Sequence, residues 1–259
     1  GPKKVIFMGD GYHDAKVLKR CAFGIAPANA RVEAIAAADF VTPSRSGDGA
    51  VMDACIEIER RFFAPELSKY AVCIVAAGKG SRMGEFTKHL NKALLPVHGK
   101  PAIAYIVESY PANAEFVIAL GYLGEMLQTY LLAAYPERSF TFVDVANYDQ
   151  AGAGPGYSLL CCKEHLQRPF VLANVDALTV GLIPPPVNNW LGIARVEDTT
   201  RFCSVAIDDE GTIIRIDDKK KTNNRFAFTG IAGILDHSDF WKALAADEAL
   251  IAAERQVSP

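Results

Sequence analysis

Residues 71–101 read AVCIVAAGKGSRMGEFTKHLNKALLPVHGKP: an apolar run, a glycine-rich turn, then two lysines ahead of a proline. The run Ala71–Ala76 has the length and make-up of a buried strand. The turn that follows offers backbone N–H groups free of side-chain bulk, which suits the cradling of phosphate oxygens. Two common phosphate loops are excluded by spacing. A P-loop needs GxxxxGK[ST] and a dinucleotide fingerprint needs GxGxxG, whereas the glycines here are Gly78, Gly80 and Gly84. Gly78 and Gly80 can admit a polyphosphate, and Arg82 can add a forked donor to it. Lys92 lies ten residues beyond Arg82 and can neutralise charge at a phosphorus under attack.

The 259-residue chain is long enough for one large or two modest domains, and its 50% apolar content is that of a globular protein. A net charge of −3 gives no footprint for a nucleic-acid polymer, and the cations are scattered apart from Lys219, Lys220 and Lys221. No apolar run approaches the roughly 20 residues that span a bilayer, and GPKKVIF lacks signal-peptide architecture. A cytoplasmic protein with no membrane partner is expected. Six cysteines form no CxxC pair and sit mostly in apolar runs, the pattern of reduced, buried thiols. Gly1 and Pro2 have the look of a cleaved tag.

Short apolar runs alternate with amphipathic stretches from the start: KVIFMGD, FGIAPA and ADFVT as strands, with HDAKVLKRCA, ARVEAIAAA and GAVMDACIEIERRFF as helices. APELSK then reads as a linker. The pattern restarts with strands YAVCIVAA, EFVIALG, FTFVDV and PFVLANVD and helices around PAIAYIVESY and GEMLQTYLLAAY, later joined by WLGIARV and a hairpin RFCSVAI–DDEG–TIIRID. These runs predict an α/β chain of two domains, residues 1–66 and 67–259, the second with a mixed, mainly parallel sheet.

In the first segment, GDxxxD places Asp10 and Asp14 at the carboxyl end of a strand, where two carboxylates can hold Mg²⁺. Residues 4 to about 60 resemble the last third of haloacid-dehalogenase-type phosphatases, especially small ones acting on 3-deoxy-octulosonate 8-phosphate or fused to sialic-acid cytidylyltransferases, which share the AD-x-VT and G-x-GAV elements. That resemblance implies a nucleophilic aspartate in a DxD motif before GDxxxD, and only nine residues precede Asp10. Asp208-Asp209-Glu210-Gly211-Thr212 imitates the motif but has the composition of a turn. Phosphatase activity is not expected. Asp10 and Asp14 are expected to be remnants of a Mg²⁺ site in a segment serving packing or homo-oligomerisation.

The stretch AAGKGSRM…NKALLPVHGKPAIAYIV resembles the signature of nucleotidyltransferases that activate sugar phosphates and choline phosphate, with Asn91 in place of the usual proline. The resemblance covers residues 70 to about 259 and implies a Rossmann-like nucleotidyltransferase domain in which Ala77, Gly78, Gly80 and Ser81 bind the nucleotide with Arg82 and Lys92 catalytic. It places Gly156, Tyr157 and Ser158 in a second nucleotide loop, Asp176 as the Mg²⁺ ligand ending PFVLANVD, and Lys219 on the acceptor phosphate. A second metal-binding aspartate, usual in a late D-x-G-T stretch, has no counterpart before Pro259, so both ends of the chain look cut and the metal site is expected to be incomplete unless another carboxylate substitutes. The expected reaction is NMP transfer from a nucleoside triphosphate to a phosphorylated small-molecule acceptor, a sugar 1-phosphate for surface polysaccharide. Tyr157-Ser158-Leu159 leaves a choline-phosphate type cytidylyltransferase open, and a non-catalytic nucleotide-binding scaffold is the remaining alternative.

Overall fold

The computed structural model describes residues 4–63, 70–150, 154–179 and 181–257; the expected linker APELSK lies outside them. The chain divides into two compact units, one of residues 1–68 with 107–111 and 179–185, the other of residues 69–106, 112–178 and 186–259.

In the first unit β1 (Ile6–Met8), α1 (Asp14–Leu18), β2 (Phe23–Ala26), α2 (Val32–Ile35), β3 (Phe40–Val41) and α3 (Ala50–Ile58) follow one another. The strands form a parallel sheet in the order β1-β2-β3, as short strands separated by helices require. Leu18 and Ala34 pack beneath one face, while Phe23, Ile25 and Ala54 form a second cluster. Glu57 is buried and its carboxylate is forked by Arg60 and Arg61 at 2.6 and 3.2 Å, which compensates its loss of water.

In the second unit the chain runs β4 (Ala71–Val75), the short pair β5 (Pro96–Val97) and β6 (Lys100–Pro101), α4 (Ala102–Glu108), β7 (Glu115–Leu120), α5 (Gly124–Ala134), β8 (Ser139–Asp144), α6 (Pro155–Cys161) and β9 (Phe170–Asn174). It continues through β10 (Trp190–Arg195), β11 (Cys203–Ile207), β12 (Ile213–Asp218), β13 (Phe226–Ile234) and α7 (His237–Val257). The main sheet has the order β12-β11-β13-β9-β4-β7-β8, with β10 also paired to β13. Strand β4 is parallel to both β7 and β9, and β7 to β8; the pairings of β13, β10, β11 and β12 are antiparallel. The antiparallel share is larger than the sequence suggests, because the nine-residue strand β13 hides in RFAFTGIAGIL, where two glycines and a threonine dilute the apolar pattern. Helix α7 is likewise unforeseen.

Residues of β4 are buried from Ala71 through Ile74, as expected of a parallel strand covered on both sides. On one side Cys73, Leu159, Cys162, Leu166, Phe170 and Trp241 form a cluster. Phe170 stacks on Trp241 at 5.4 Å with an interplanar angle of 13°, and the indole N–H donates to the Leu166 carbonyl. Burying an aromatic of this size contributes ~1.5–3 kcal/mol. Of the cysteines only Cys73 and Cys162 are buried, Cys55 being exposed, so the expectation of six buried thiols is too broad. A hydrogen bond to Cys162, reinforced by burial, pushes the Cys73 thiol well above its usual range, which keeps it protonated. Among the described residues no helix is long and apolar enough to cross a membrane.

Asp53, 3% exposed, accepts from the amides of Ser44 and Leu182, each at 2.9 Å, and Gly181 (φ +95°) closes over it where a Cβ would lie 2.8 Å from its Oδ1. Asp53→Ala leaves both amides without an acceptor at ~1–3 kcal/mol apiece. The urea midpoint should fall accordingly, and an unchanged midpoint would show that the amides find other partners.

Candidate functional site

The strands β4, β7, β8 and β9 run parallel, so their carboxyl ends share one edge of the sheet, where ligands bind in open α/β folds. The loops leaving β4, β8 and β9 meet there in a cleft of about 610 Å³. Gly78, Gly80, Arg82 and Lys92 line it from the side of β4, Ser158 from α6, and Asp176 from the end of β9. Ser81 lines it as well.

The glycine loop is shaped by two left-handed residues. Gly80 has φ +64°, and a Cβ there would lie 3.1 Å from Thr87 Cγ2 and 3.3 Å from Lys92 Cβ, so its missing side chain lets the Lys92 stem pack against the loop. Gly84, at φ +56° and ψ −126°, breaks the 3₁₀ stretch Ser81–Thr87. The loop therefore leads into short 3₁₀ turns, and the helix expected around PAIAYIVESY begins at Ala102 as α4. What the loop offers an anion is backbone N–H groups and cations, without a long helix dipole.

Two ion pairs stand in the cleft. Lys92 Nζ lies 2.6 Å from Asp176 Oδ2 and Lys79 Nζ 3.1 Å from Asp149 Oδ2. Asp176 is 58% and Asp149 45% exposed at their side chains, and solvent-exposed pairs contribute only ~0–1 kcal/mol. Exchanging a carboxylate for a phosphate oxygen or a metal is therefore cheap. Arg82 has no ion pair among the described residues.

Six expected site residues lie elsewhere. Ala77 is buried behind the loop, its carbonyl accepting from the Tyr122 amide. Gly156 and Tyr157 belong to α6 but do not line the cleft, and Tyr157 packs against the core. Lys219 follows β12, is exposed beside Asp218 and is not among the residues lining the cleft. The other lysines of its run also stand outside the cleft. Asp10 and Asp14 are in the first unit, where Asp14 Oδ2 accepts from the amides of Asp10 and Gly11 at 3.0 and 2.8 Å. Asp208–Gly211 is the hairpin turn, with Asp208 Oδ1 accepting from the amides of Glu210 and Thr212. Lys79, Tyr148, Asp149 and Asn174 also line the cleft. Asp149 and Tyr148 were within reach of sequence reasoning, because they follow a parallel strand at its carboxyl end.

Residues 72–189 match the MobA-like NTP transferase domain, and residues 1–54 match the haloacid dehalogenase-like hydrolase family. The bifunctional protein GlmU of Methanococcus aeolicus is 24% identical over 153 residues, covering 57% of this chain and 36% of GlmU. The choline-phosphate cytidylyltransferase of Streptococcus pneumoniae is 34% identical over 101 residues, 38% of this chain and 42% of the relative. The probable glucose-1-phosphate cytidylyltransferase of Bacillus subtilis is 30% identical over 112 residues, 42% and 41%. The chain thus spans little more than a third to two fifths of these relatives. Apo UDP-glucose pyrophosphorylase shares the fold at a TM-score of 0.58 and 20% identity, over 68% of this chain and 80% of that one. The S. pneumoniae CTP:phosphocholine cytidylyltransferase does so at 0.55 and 21%, over 71% and 79%.

Gly78 and Gly80 separate space reserved for a ligand from space needed by the loop itself. A Cβ at Gly78 meets nothing within 4 Å, so Gly78→Ala should keep the fold, and a fall in triphosphate affinity by calorimetry would report ligand in that space. Gly80→Ala should lower affinity as well, by about tenfold or more, because a left-handed non-glycine residue costs ~1–2 kcal/mol. Unchanged affinity in both would place the phosphates elsewhere.

Proposed function

We propose, from the match of residues 72–189 to the MobA-like NTP transferase domain, that the protein transfers a nucleoside monophosphate from a nucleoside triphosphate to a sugar 1-phosphate, releasing pyrophosphate, in the synthesis of surface polysaccharide precursors. The observation that carries this reading is the convergence of Gly80, Arg82, Lys92 and Asp176 on one cleft. An acceptor phosphate oxygen attacks the α-phosphorus in line as the bond to pyrophosphate breaks, with no covalent intermediate. Gly78, Gly80, Ser81 and Arg82 hold the triphosphate, Lys92 offsets charge developing at the α-phosphorus, and Ser158 borders the nucleotide. The acceptor phosphate has Lys79 at hand once it leaves Asp149, whereas Lys219 does not line the cleft.

Asp176 suits Mg²⁺. It is an exposed carboxylate beside the glycine loop, and Mg²⁺ commonly takes one or two carboxylates and completes its shell with substrate phosphates and water. Among the described residues no group of three or more acidic, histidine or cysteine side chains gathers as a metal site, so the nucleotide would have to supply the remaining ligands. Bound there, the metal would draw charge from the phosphates; Asp176 would hold it and release Lys92 to the nucleotide. No phosphatase activity is proposed for the first unit, where Asp14 accepts from two backbone amides.

A choline-phosphate acceptor is the second reading, favoured by the 34% identity to the S. pneumoniae enzyme. Against it, Tyr148 is the one aromatic among the described residues lining the cleft, and quaternary ammonium groups are held by several aromatic faces.

Pyrophosphate release across CTP, UTP and GTP with sugar 1-phosphates and phosphocholine tests the proposal. Turnover is expected with a sugar 1-phosphate; faster turnover with phosphocholine would favour the second reading, and none with any pair would remove the transferase reading. Lys92→Ala and Asp176→Ala should each lower kcat by about 10²–10³-fold, the usual loss on removing a group that stabilises transition-state charge. Retained turnover in either would take that residue out of the mechanism. EDTA should stop the reaction and added Mg²⁺ restore it; chelator-resistant turnover would argue against metal dependence.

A further inference from the structure

Lys92 is held from behind by two residues that no phosphate would touch. Asn91 is 1% exposed. Its Oδ1 accepts from the Ala93 amide at 2.9 Å, closing the turn that contains Lys92, while its Nδ2 donates to the Tyr122 carbonyl at 2.7 Å. Tyr122 carries two further links. Its amide donates to the Ala77 carbonyl at 2.9 Å, at the root of the glycine loop, and its hydroxyl donates to the Lys88 carbonyl at 2.7 Å. The Lys92 turn, the root of the glycine loop and Lys88 between them are thereby tied to a single residue leaving β7.

The chain around Tyr122 is built for this approach. Gly121 lies so close to the loop that a Cβ would be 2.4 Å from the Ala77 carbonyl oxygen, and Leu123 takes the left-handed conformation at φ +50°. A non-glycine residue in that region costs energy that surrounding contacts must offset. The strain therefore marks a backbone held where the Asn91 and Ala77 bonds need it.

We propose that Asn91 and Tyr122 are positioning residues that clamp the Lys92 turn to the root of the glycine loop, fixing Lys92 relative to the phosphates bound at Gly78 and Gly80. This rests on the reading of Lys92 as the lysine that meets the α-phosphorus. A short link through a buried amide fixes relative position, and displacement of a reacting group by about 1 Å can cost about 10²-fold in rate. Asn91 is the sole side chain bonding to both the Lys92 turn and Tyr122 among the described residues, which makes it the place to break the clamp.

Two arms test this, one independent of turnover. By hydrogen exchange, Asn91→Ala should speed exchange of the Ala93 amide, and also of the Tyr122 amide, by about tenfold or more through easier local opening. An unchanged Tyr122 amide would overturn the clamp whether or not the protein turns over. In the kinetic arm Asn91→Ala should lower kcat by about 10–100-fold while the triphosphate KM stays within about threefold. In a Lys92→Ala background the same substitution should change kcat by less than about twofold, because a residue acting through Lys92 has nothing left to position. Equal losses in both backgrounds would mean that Asn91 acts through the fold, and would overturn the proposal. Tyr122→Phe, which removes only the bond to Lys88, should give a smaller loss with the same non-additivity and carries the cycle if Asn91→Ala does not fold. Absence of wild-type turnover would strike the transferase reading alone, since the exchange arm reads the clamp directly.

Discussion

The parallel pairing of β4 with β7 on one side and β9 on the other is the constraint from which the cleft follows. Residue by residue, Val75 stands opposite Ala119 and Asn174, so the chain leaves three neighbouring strands at one level. The glycine loop, Tyr122 and Asp176 are the next residues along each. Their proximity needs no contact of their own to create it. It is held by backbone ladders and by the core of Cys73, Phe170 and Trp241 beneath, which is far larger than any polar interaction in the site.

Within that frame the charges are arranged to be exchanged. Each ammonium group of the cleft stands against a carboxylate in partly exposed surroundings, where the attraction is small, and Arg82 is left to meet an incoming anion. The nitrogen of Lys92 is loosely bound at its tip, whereas its stem is fixed by Gly80 and its turn by Asn91. The role proposed for Lys92 needs this combination. Its backbone must not wander, and its charge must be available.

Sequence and structure meet where chemistry and chain direction coincide: Gly78, Gly80, Arg82, Lys92 and Asp176 line one cleft. They part where contacts join residues distant in the chain. Asn91 looked like a mild departure and is instead a buried clamp. Gly84 enters the sequence only through its spacing, and its φ and ψ break the 3₁₀ stretch. Lys219 follows from the resemblance alone, and neither it nor Lys220 and Lys221 lines the cleft, which spacing along the chain does not reveal. Tyr157 is adjacent to Ser158 in sequence but points to the core, since neighbours on a helix face different ways.

The sequence by itself determined the strand–turn chemistry of the phosphate cradle, the alternation of strands and helices, and the identity of its cations and carboxylate, because these depend on local spacing and residue type. Tertiary structure alone decided which lysine stands beside Asp176, that Asp149 and Tyr148 share the cleft, and that Tyr122 ties the loop to the Lys92 turn. Those outcomes depend on strand order and on hydrogen bonds spanning tens of residues, and no local pattern encodes the partner at the other end.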